Sequence, residues 1–113
     1  MNYTTEATDL FDREVKRLSK KYHSLPDDLE NFKKELLENP TMGDKISNDV
    51  RKVRMAIASK GKGKSGGARV ITCTILIDTH SSTIYLLTIY DKSEQITIAK
   101  STIEHLKQKS GLG

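Results

Sequence analysis

The sequence predicts an α+β fold, in which an N-terminal helical hairpin packs on a small antiparallel sheet and a short helix closes the chain. Two observations predict it. Apolar residues recur every three or four positions up to Pro40 and at every second position from Val53 onward, which indicates helices followed by strands. The chain of 113 residues is the size of one domain, and because no second apolar cluster is present, a single domain over residues 1–113 is expected.

Two amphipathic helices are expected before Pro40. From Asp9 to Tyr22 the apolar residues are three or four positions apart, and a second set repeats this spacing until Asn39-Pro40 stops it. Ser24 is the candidate N-cap of the second helix, because Pro26 follows it in the first turn. Helices this close in sequence form an antiparallel hairpin. The two apolar stripes consist of Phe11, Val15, Leu18, Tyr22, Leu25, Leu29, Phe32 and Leu36.

Three strands and a final helix follow a polar loop over residues 41–49. Residues 53–57 place apolar side chains at alternate positions, and Lys52 and Arg54 alternate with them, so this strand has one apolar and one largely cationic face. The segments 68–77 and 83–90 are rich in Ile, Val, Thr and Tyr and are expected to be inner strands of an antiparallel meander. Apolar spacing from Ala99 to Leu106 indicates the last helix. A further short strand is expected near residues 2–6.

Composition restricts the class of protein. The chain has 19 Lys and Arg against 15 Asp and Glu, and the formal charge of +4 fits either an anionic partner or ordinary solubility. Cys73 is the only cysteine and lies in an apolar run, so packing in the core is expected rather than a disulfide or a reactive thiol. The N-terminal residues lack a signal-peptide pattern and no apolar run approaches the length of a membrane span. A cytoplasmic protein without membrane contact is therefore expected.

The connection between the first two strands of the meander, residues 58–67, is the glycine-lysine loop, ASKGKGKSGG. Gly63-Lys64-Ser65 matches the end of the nucleotide-binding P-loop signature, but Ala58 stands where the first glycine is needed and a strand follows instead of a helix. A flexible, soluble hairpin connection explains the glycines. It explains less well why cations continue onto the strands at both ends of the loop.

The register of the first hairpin can be predicted from this loop. A turn centred on residues 62–64 sets Arg54 near Thr72 and Ile57 near Arg69. A slip by an odd number of residues would exchange the two faces of the strand, whereas an even slip would leave the cations clustered at one end of the sheet.

The second hairpin brings further cations to the same end. A turn centred near His80 sets Arg69 beside Asp91 and Lys92, with the guanidinium of Arg69 facing solvent. Closely spaced cations repel one another, so such a cluster suits an anionic ligand, an ordinary solvated basic face being the alternative. A compact set of Arg and Lys can stabilise the charge that forms when an RNA 2′-hydroxyl attacks its own phosphate, a reaction with no obligatory metal.

Other catalytic arrangements are not indicated. His23, His80 and His105 are scattered along the chain without the spacing of a metal site. They do not combine with Cys73 into a nucleophile–base constellation. Neither a metal nor another cofactor is therefore expected.

Three segments, FDREVKRLSKKYHSL, VRKVRMAIASKGKGKSGGARVI and TIYLLTIYDKSE, resemble the RelE/ParE superfamily of toxins from type II toxin–antitoxin systems. The similarity is strongest to the HigB-like branch of ribosome-dependent mRNA interferases and covers nearly the whole chain. It implies a RelE-like microbial RNase-type fold and an endoribonuclease that cleaves translated mRNA in the ribosomal A site by metal-independent 2′-hydroxyl attack. It also implies a cognate antitoxin, the ribosome and mRNA as partners, and operator DNA bound by the toxin–antitoxin complex through the antitoxin.

The resemblance implies roles for the cations. Arg69 falls on the motif arginine that binds the scissile phosphate, and Lys52 is the candidate for activating the 2′-hydroxyl. Arg54 would give electrostatic support, and Lys92 would protonate or stabilise the leaving 5′-oxygen. The residues expected to contact RNA are Lys60, Lys62, Lys64 and Tyr90.

Two departures from RelE itself bear on these roles. Ser93 stands where RelE has an arginine directly after the lysine of that segment, and Ala99 is nearest to the tyrosine that stacks on the substrate base. Tyr90 is the candidate to stack instead, with packing in the core as the alternative. A non-enzymatic toxin of the ParE type, which inhibits DNA gyrase by protein contact, is the alternative function, although that branch does not need the cations around Arg69.

Overall fold

The computed structural model of the chain describes residues 1–112. Every predicted helix and strand is present, and the polar loop over residues 41–49 contains one additional strand, β2. No helix in this part of the chain combines the length and the apolar character that crossing a membrane would require. The elements are β1 (Asn2–Ala7), α1 (Asp9–Lys21), α2 (Leu25–Glu38), β2 (Asp44–Lys45), β3 (Val50–Met55), a 3-10 turn (Ala58–Lys60), β4 (Ala68–Asp78), β5 (Ser81–Asp91) and α3 (Lys100–Lys109).

The helical hairpin forms where the apolar spacing predicts it. α1 begins after Thr8, whose hydroxyl accepts the N–H of Phe11 at 3.1 Å, and α2 ends before Asn39. Ser24 occupies the N-cap position of α2, but its hydroxyl does not cap the helix. Instead it donates to the carboxylate of Asp28 and accepts the N–H of Ser59 in the glycine-lysine loop. The predicted capping role is therefore wrong, because the loop competes for the same hydroxyl.

The sheet has the strand order β1-β5-β4-β3-β2. β3, β4 and β5 form the predicted antiparallel meander, and β2 extends it at one edge. β1 pairs with β5 at the other edge and runs parallel to it, so the sheet is mixed rather than wholly antiparallel. A parallel edge strand requires a long connection, which α1 and α2 supply after β1.

The sheet has two faces with different coverings. One, the hairpin face, packs Val53, Val70 and Ile84 against the buried residues of α1 and α2. The other, the α3 face, places Ile71, Cys73, Leu87 and Tyr90 in a second buried cluster with Ile103 of α3. Cys73 is fully buried, as the sequence predicts, and burial raises the pKa of its thiol. Because successive strand residues alternate between the faces, Lys52, Arg54 and Arg69 belong to the α3 face.

Candidate nucleic-acid interface

The register of β3 and β4 brings two arginines together. Arg54 lies directly opposite Arg69, and Lys52 lies opposite Ile71. The prediction that Arg54 lies near Thr72 is wrong by three positions, because a 3-10 turn follows β3 and β4 begins only at Ala68. The predicted pairing of Ile57 with Arg69 fails for the same reason, since Ile57 is buried beyond the end of β3. An odd shift exchanges strand faces, and here it places both arginines on the α3 face.

The register of β4 and β5 differs from the prediction by one residue. Arg69 lies opposite Tyr90, and Asp91 lies opposite Ala68, because β4 and β5 are joined by a turn of only two residues, 79–80. Lys92 directly follows β5 and is exposed, and its N–H donates to the carbonyl of Gly67 at 3.1 Å. The end of β5 is thereby tied to the end of the glycine-lysine loop.

The guanidinium of Arg69 is enclosed by this loop. Arg69 is only 6% exposed, and the prediction that its guanidinium faces solvent is wrong. Its Nη1 donates to the carbonyls of Lys64 and Ala68 at 3.1 Å each, and its Nη2 donates to the carbonyl of Ser65 at 3.0 Å. The loop folds back over the strand, and the guanidinium supplies donors to its partly buried carbonyls. Three of the five guanidinium N–H donors are used in this way, which leaves two for another acceptor.

Arg54 and Lys52 have no such partners. Arg54 is exposed and Lys52 is half-buried. Within residues 1–112, neither forms an ion pair with an acid. Like charges directly opposite each other destabilise a sheet, so an anion bound at Arg54 and Arg69 would relieve an unfavourable contact. Lys92 and Lys62 are likewise exposed and lack an ion pair in the described part of the chain.

The other two lysines of the glycine-lysine loop are engaged with the protein. The Nζ of Lys60 lies 2.6 Å from Oδ1 of Asp91, and the side chain of Lys60 is only 8% exposed. The Nζ of Lys64 lies 2.6 Å from Oε1 of Glu35 on α2, in a pair that is open to solvent. Of the three loop lysines expected to contact RNA, Lys62 alone is both exposed and free of an acid partner within residues 1–112.

Asp91 is a functional candidate that the sequence analysis named only as a neighbour of Arg69. It is fully buried, and its carboxylate accepts hydrogen bonds from Lys60, from the hydroxyl of Tyr22 and from the N–H of Ser93. Burial acts to raise the pKa of this carboxyl, but the hydrogen bonds outweigh burial and lower it to about 2. The signal in the sequence is an acid at the end of an apolar strand, which indicates a paired carboxylate without identifying its partners.

Tyr90 is in the core of the α3 face. It is 4% exposed, and its hydroxyl has no hydrogen-bond partner among the described residues. Burial raises the pKa of this hydroxyl, and the nearby charge of Arg69 partly offsets the increase. The structure therefore agrees with the alternative in which Tyr90 packs in the core, and its ring is not exposed for stacking on a base.

Apart from the enclosed Arg69, the cations at this end of the sheet lie on an open surface. Clefts of about 570 and 560 Å³ lie beside α1 and α3, and their linings contain none of Lys52, Arg54, Arg69 and Lys92. Arg54 and Lys64 line a smaller cleft of about 150 Å³ against α2. Across residues 1–112, no three His, Cys, Asp or Glu side chains are grouped so that they could hold a metal ion. An open, cation-lined surface suits a polymeric anion better than a small ligand, which binds in an enclosed pocket.

Comparison with known proteins identifies the fold. No family model matches the sequence. The structure of a mutant of the E. coli toxin RelE in the free state is similar, with a TM-score of 0.57 and 14% sequence identity. The similarity covers 85% of this chain and 90% of that chain. The chain therefore has the fold of the E. coli toxin RelE, which confirms the predicted RelE-like α+β class.

Proposed function

We propose that the chain is the toxin of a type II toxin–antitoxin system, of the HigB-like branch, and that it cleaves translated mRNA in the ribosomal A site. The observation that carries the proposal is the Arg54–Arg69 pair on the α3 face, beside Lys52 and without an acid partner in residues 1–112. The RelE-like fold supports it. The formal charge of +4 has the sign that binding to RNA and to the ribosome requires.

The proposed reaction is an internal phosphoryl transfer. The 2′-hydroxyl loses its proton and attacks the adjacent phosphorus, while the bond from phosphorus to the 5′-oxygen of the next nucleotide breaks and that oxygen takes up a proton. The products are a 2′,3′-cyclic phosphate and a 5′-hydroxyl. Fixed cations stabilise the negative charge that develops on the phosphate oxygens, so this route requires no metal.

The site residues divide this chemistry among them. Arg54 is exposed and makes the first contact with the scissile phosphate. Arg69 lies opposite and contributes its fixed charge and its two remaining donors. Lys52, with its amine in the neutral form, receives the proton of the 2′-hydroxyl, and Lys92, as an ammonium, supplies a proton to the leaving 5′-oxygen. Each positioned acid or base contributes about 10²- to 10⁴-fold to the rate.

The proposed partners follow from this function. The exposed Lys62 at the tip of the glycine-lysine loop contacts the RNA backbone, and Lys64 adds a contact when it leaves Glu35. A surface this open holds mRNA in position only with help from the ribosome, so free RNA is a poor substrate. A cognate antitoxin neutralises the toxin in the cytoplasm and carries the complex to operator DNA.

Primer extension on a translated message after induction tests the proposal. Wild-type protein is expected to cut the message within its coding region and to leave the same message intact when its start codon is removed. Arg54→Ala is expected to reduce cleavage by at least about 10²-fold, because it removes an exposed charge from the phosphate site. Arg13→Ala, which removes an exposed arginine from α1, is the matched control. Cleavage by Arg54→Ala at the wild-type rate would overturn the assignment.

A further inference from the structure

The carboxylate of Asp91 joins three separate segments of the chain. Its Oδ2 accepts the hydroxyl of Tyr22, at the end of α1. Its Oδ1 accepts Nζ of Lys60 at 2.6 Å, from the glycine-lysine loop, and the N–H of Ser93 at 2.9 Å, from the segment after β5. An ion pair this deeply buried adds little net stability compared with apolar residues of similar size. Its contribution is therefore to fix the three segments in one arrangement.

The first part of the glycine-lysine loop is held by this pair and by α2. The Nζ of Lys60 bonds both to Asp91 and to the hydroxyl of Ser93. The N–H of Ala58 donates to Asp28 at 3.0 Å, which attaches the same part of the loop to the start of α2. If the side chain of Lys60 no longer reached Asp91 and Ser93, this first part of the loop would be held to the rest of the protein by its bonds to Asp28 and Ser24.

The last part of the loop holds the cation site. The carbonyls of Lys64 and Ser65 bind the guanidinium of Arg69, and the carbonyl of Gly67 accepts the N–H of Lys92. Between the two parts, the backbone passes through Gly61 and Gly63 at φ values of +72° and +61°. These conformations favour glycine. A Cβ at either position would lie in open space, so the backbone at these two glycines packs against no other part of the protein. The position of Arg69 therefore depends on the anchor at Lys60, together with the solvent-exposed pair of Lys64 with Glu35.

We propose that Asp91 is a positioning residue of the cation site: it fixes the glycine-lysine loop through Lys60, and the loop carbonyls in turn fix the guanidinium of Arg69. The same carboxylate holds Ser93 and so fixes the backbone that carries Lys92. The consequence for catalysis rests on the proposed function, whereas the consequence for Arg69 does not.

NMR of ¹⁵N-labelled protein tests the link to Arg69 directly. Asp91→Asn and Lys60→Met each remove the ion pair, and each is expected to accelerate hydrogen exchange of the Arg69 guanidinium protons by at least about tenfold, because the loop opens more often. Lys60→Arg retains the charge and is expected to restore slow exchange. Ile84→Val is the control, because it removes one methyl group from a buried side chain of the hairpin face without touching the loop. Wild-type exchange in Lys60→Met would overturn the inference, even if Asp91→Asn fails to fold.

Cleavage of ribosome-bound message separates this inference from the proposed function. Lys60→Met is expected to lower kcat by about 10- to 100-fold with little change in KM, because the phosphate-stabilising charge is misplaced rather than removed. Ile84→Val is expected to keep the wild-type kcat. Absence of cleavage by wild-type protein would contradict the proposed function, and the exchange result would still decide the role of Asp91. A wild-type kcat in Lys60→Met would contradict the positioning role.

Discussion

The cations at this end of the sheet fall into two groups that differ in burial. Lys60 and Arg69 are the buried cations. The side chain of Lys60 is 8% exposed and the residue Arg69 is 6% exposed. Each is bound by protein oxygens. The open cations have no acid partner within residues 1–112 and consist of Lys52, Arg54, Lys62 and Lys92. The positions of charged residues in the sequence predict where the cations cluster. Burial and hydrogen-bond partners then determine whether a cation holds the loop or remains available to a ligand.

The sharpest stability contrast is between the two opposed arginines. Arg69→Ala is expected to lower the free energy of unfolding by about 3 kcal/mol, because two loop carbonyls and the carbonyl of Ala68 lose a charged donor and a cavity forms. Arg54→Ala is expected to change it by less than about 0.5 kcal/mol, because the side chain is exposed. Urea denaturation of both variants measures the difference. Equal losses would remove the distinction between buried and open cations.

Low pH is expected to remove the stability that the buried carboxylate of Asp91 contributes through Lys60 and Tyr22. Asp91 faces Lys60 and Tyr22 directly and Lys21 at 3.8 Å. Because its pKa in the folded protein is about 2, below the ordinary value of 3.8, its contribution is complete above about pH 4 and is lost as the pH falls toward 2. The shift corresponds to about 2 kcal/mol of unfolding free energy.

Urea denaturation of wild type and Asp91→Asn across this pH range measures that contribution. The difference between the two proteins is expected to be constant near pH 5 and to decrease as the pH falls from about 4 through 2. Other acids titrate in both proteins, so they cancel in the comparison. A difference that does not change with pH would show that the Asp91 carboxyl is not held in its charged form by Lys60 and Tyr22.

The smallest change in stability is expected for Lys64, the loop lysine whose ion pair is exposed to solvent. Lys64→Ala should change the free energy of unfolding by less than about 0.5 kcal/mol, because the pair with Glu35 is open to water. Lys60→Met, four positions earlier in the loop, should cost clearly more, because it leaves Asp91 buried without its cation. Similar losses in thermal or urea denaturation would indicate that burial does not separate these two lysines.

The sequence is sufficient to predict the helices, the three strands of the meander and the apolar residues of the hairpin face. Helical spacing locates Phe11 and Leu36, and alternation locates Val53, because burial selects apolar side chains at each period. Strand β1 is predicted weakly and its parallel pairing is not predicted at all. The direction in which β1 pairs depends on the path of the chain through α1 and α2 back to the sheet. The spacing of apolar residues within each element does not contain this information.

The candidate site is predicted only in part. The sequence locates the cations at one end of the sheet, but it misplaces Arg54 and Arg69 by an odd register shift. That shift arises from the 3-10 turn after Ile57, whose hydrogen bonds to Ser24 and Asp28 are tertiary. Enclosure of Arg69 depends on how the glycine-lysine loop folds back over the strand, although the bonded residues are close in sequence. Pairing of Lys60 with Asp91 joins residues that are 31 positions apart. A composition rich in glycine and lysine reveals neither.

The most direct test of the central claim is the single-turnover rate at which purified protein cuts ribosome-bound mRNA. The rates of Arg54→Ala and Arg51→Ala are compared with each other and with the wild-type rate. The two residues lie on β3, but Arg51 is opposite Thr72, on the other face of the strand. Arg54→Ala is expected to be slower than wild type by at least about 10²-fold, and Arg51→Ala to cut at the wild-type rate. Equal rates for the two variants would contradict an RNA phosphate site on the α3 face.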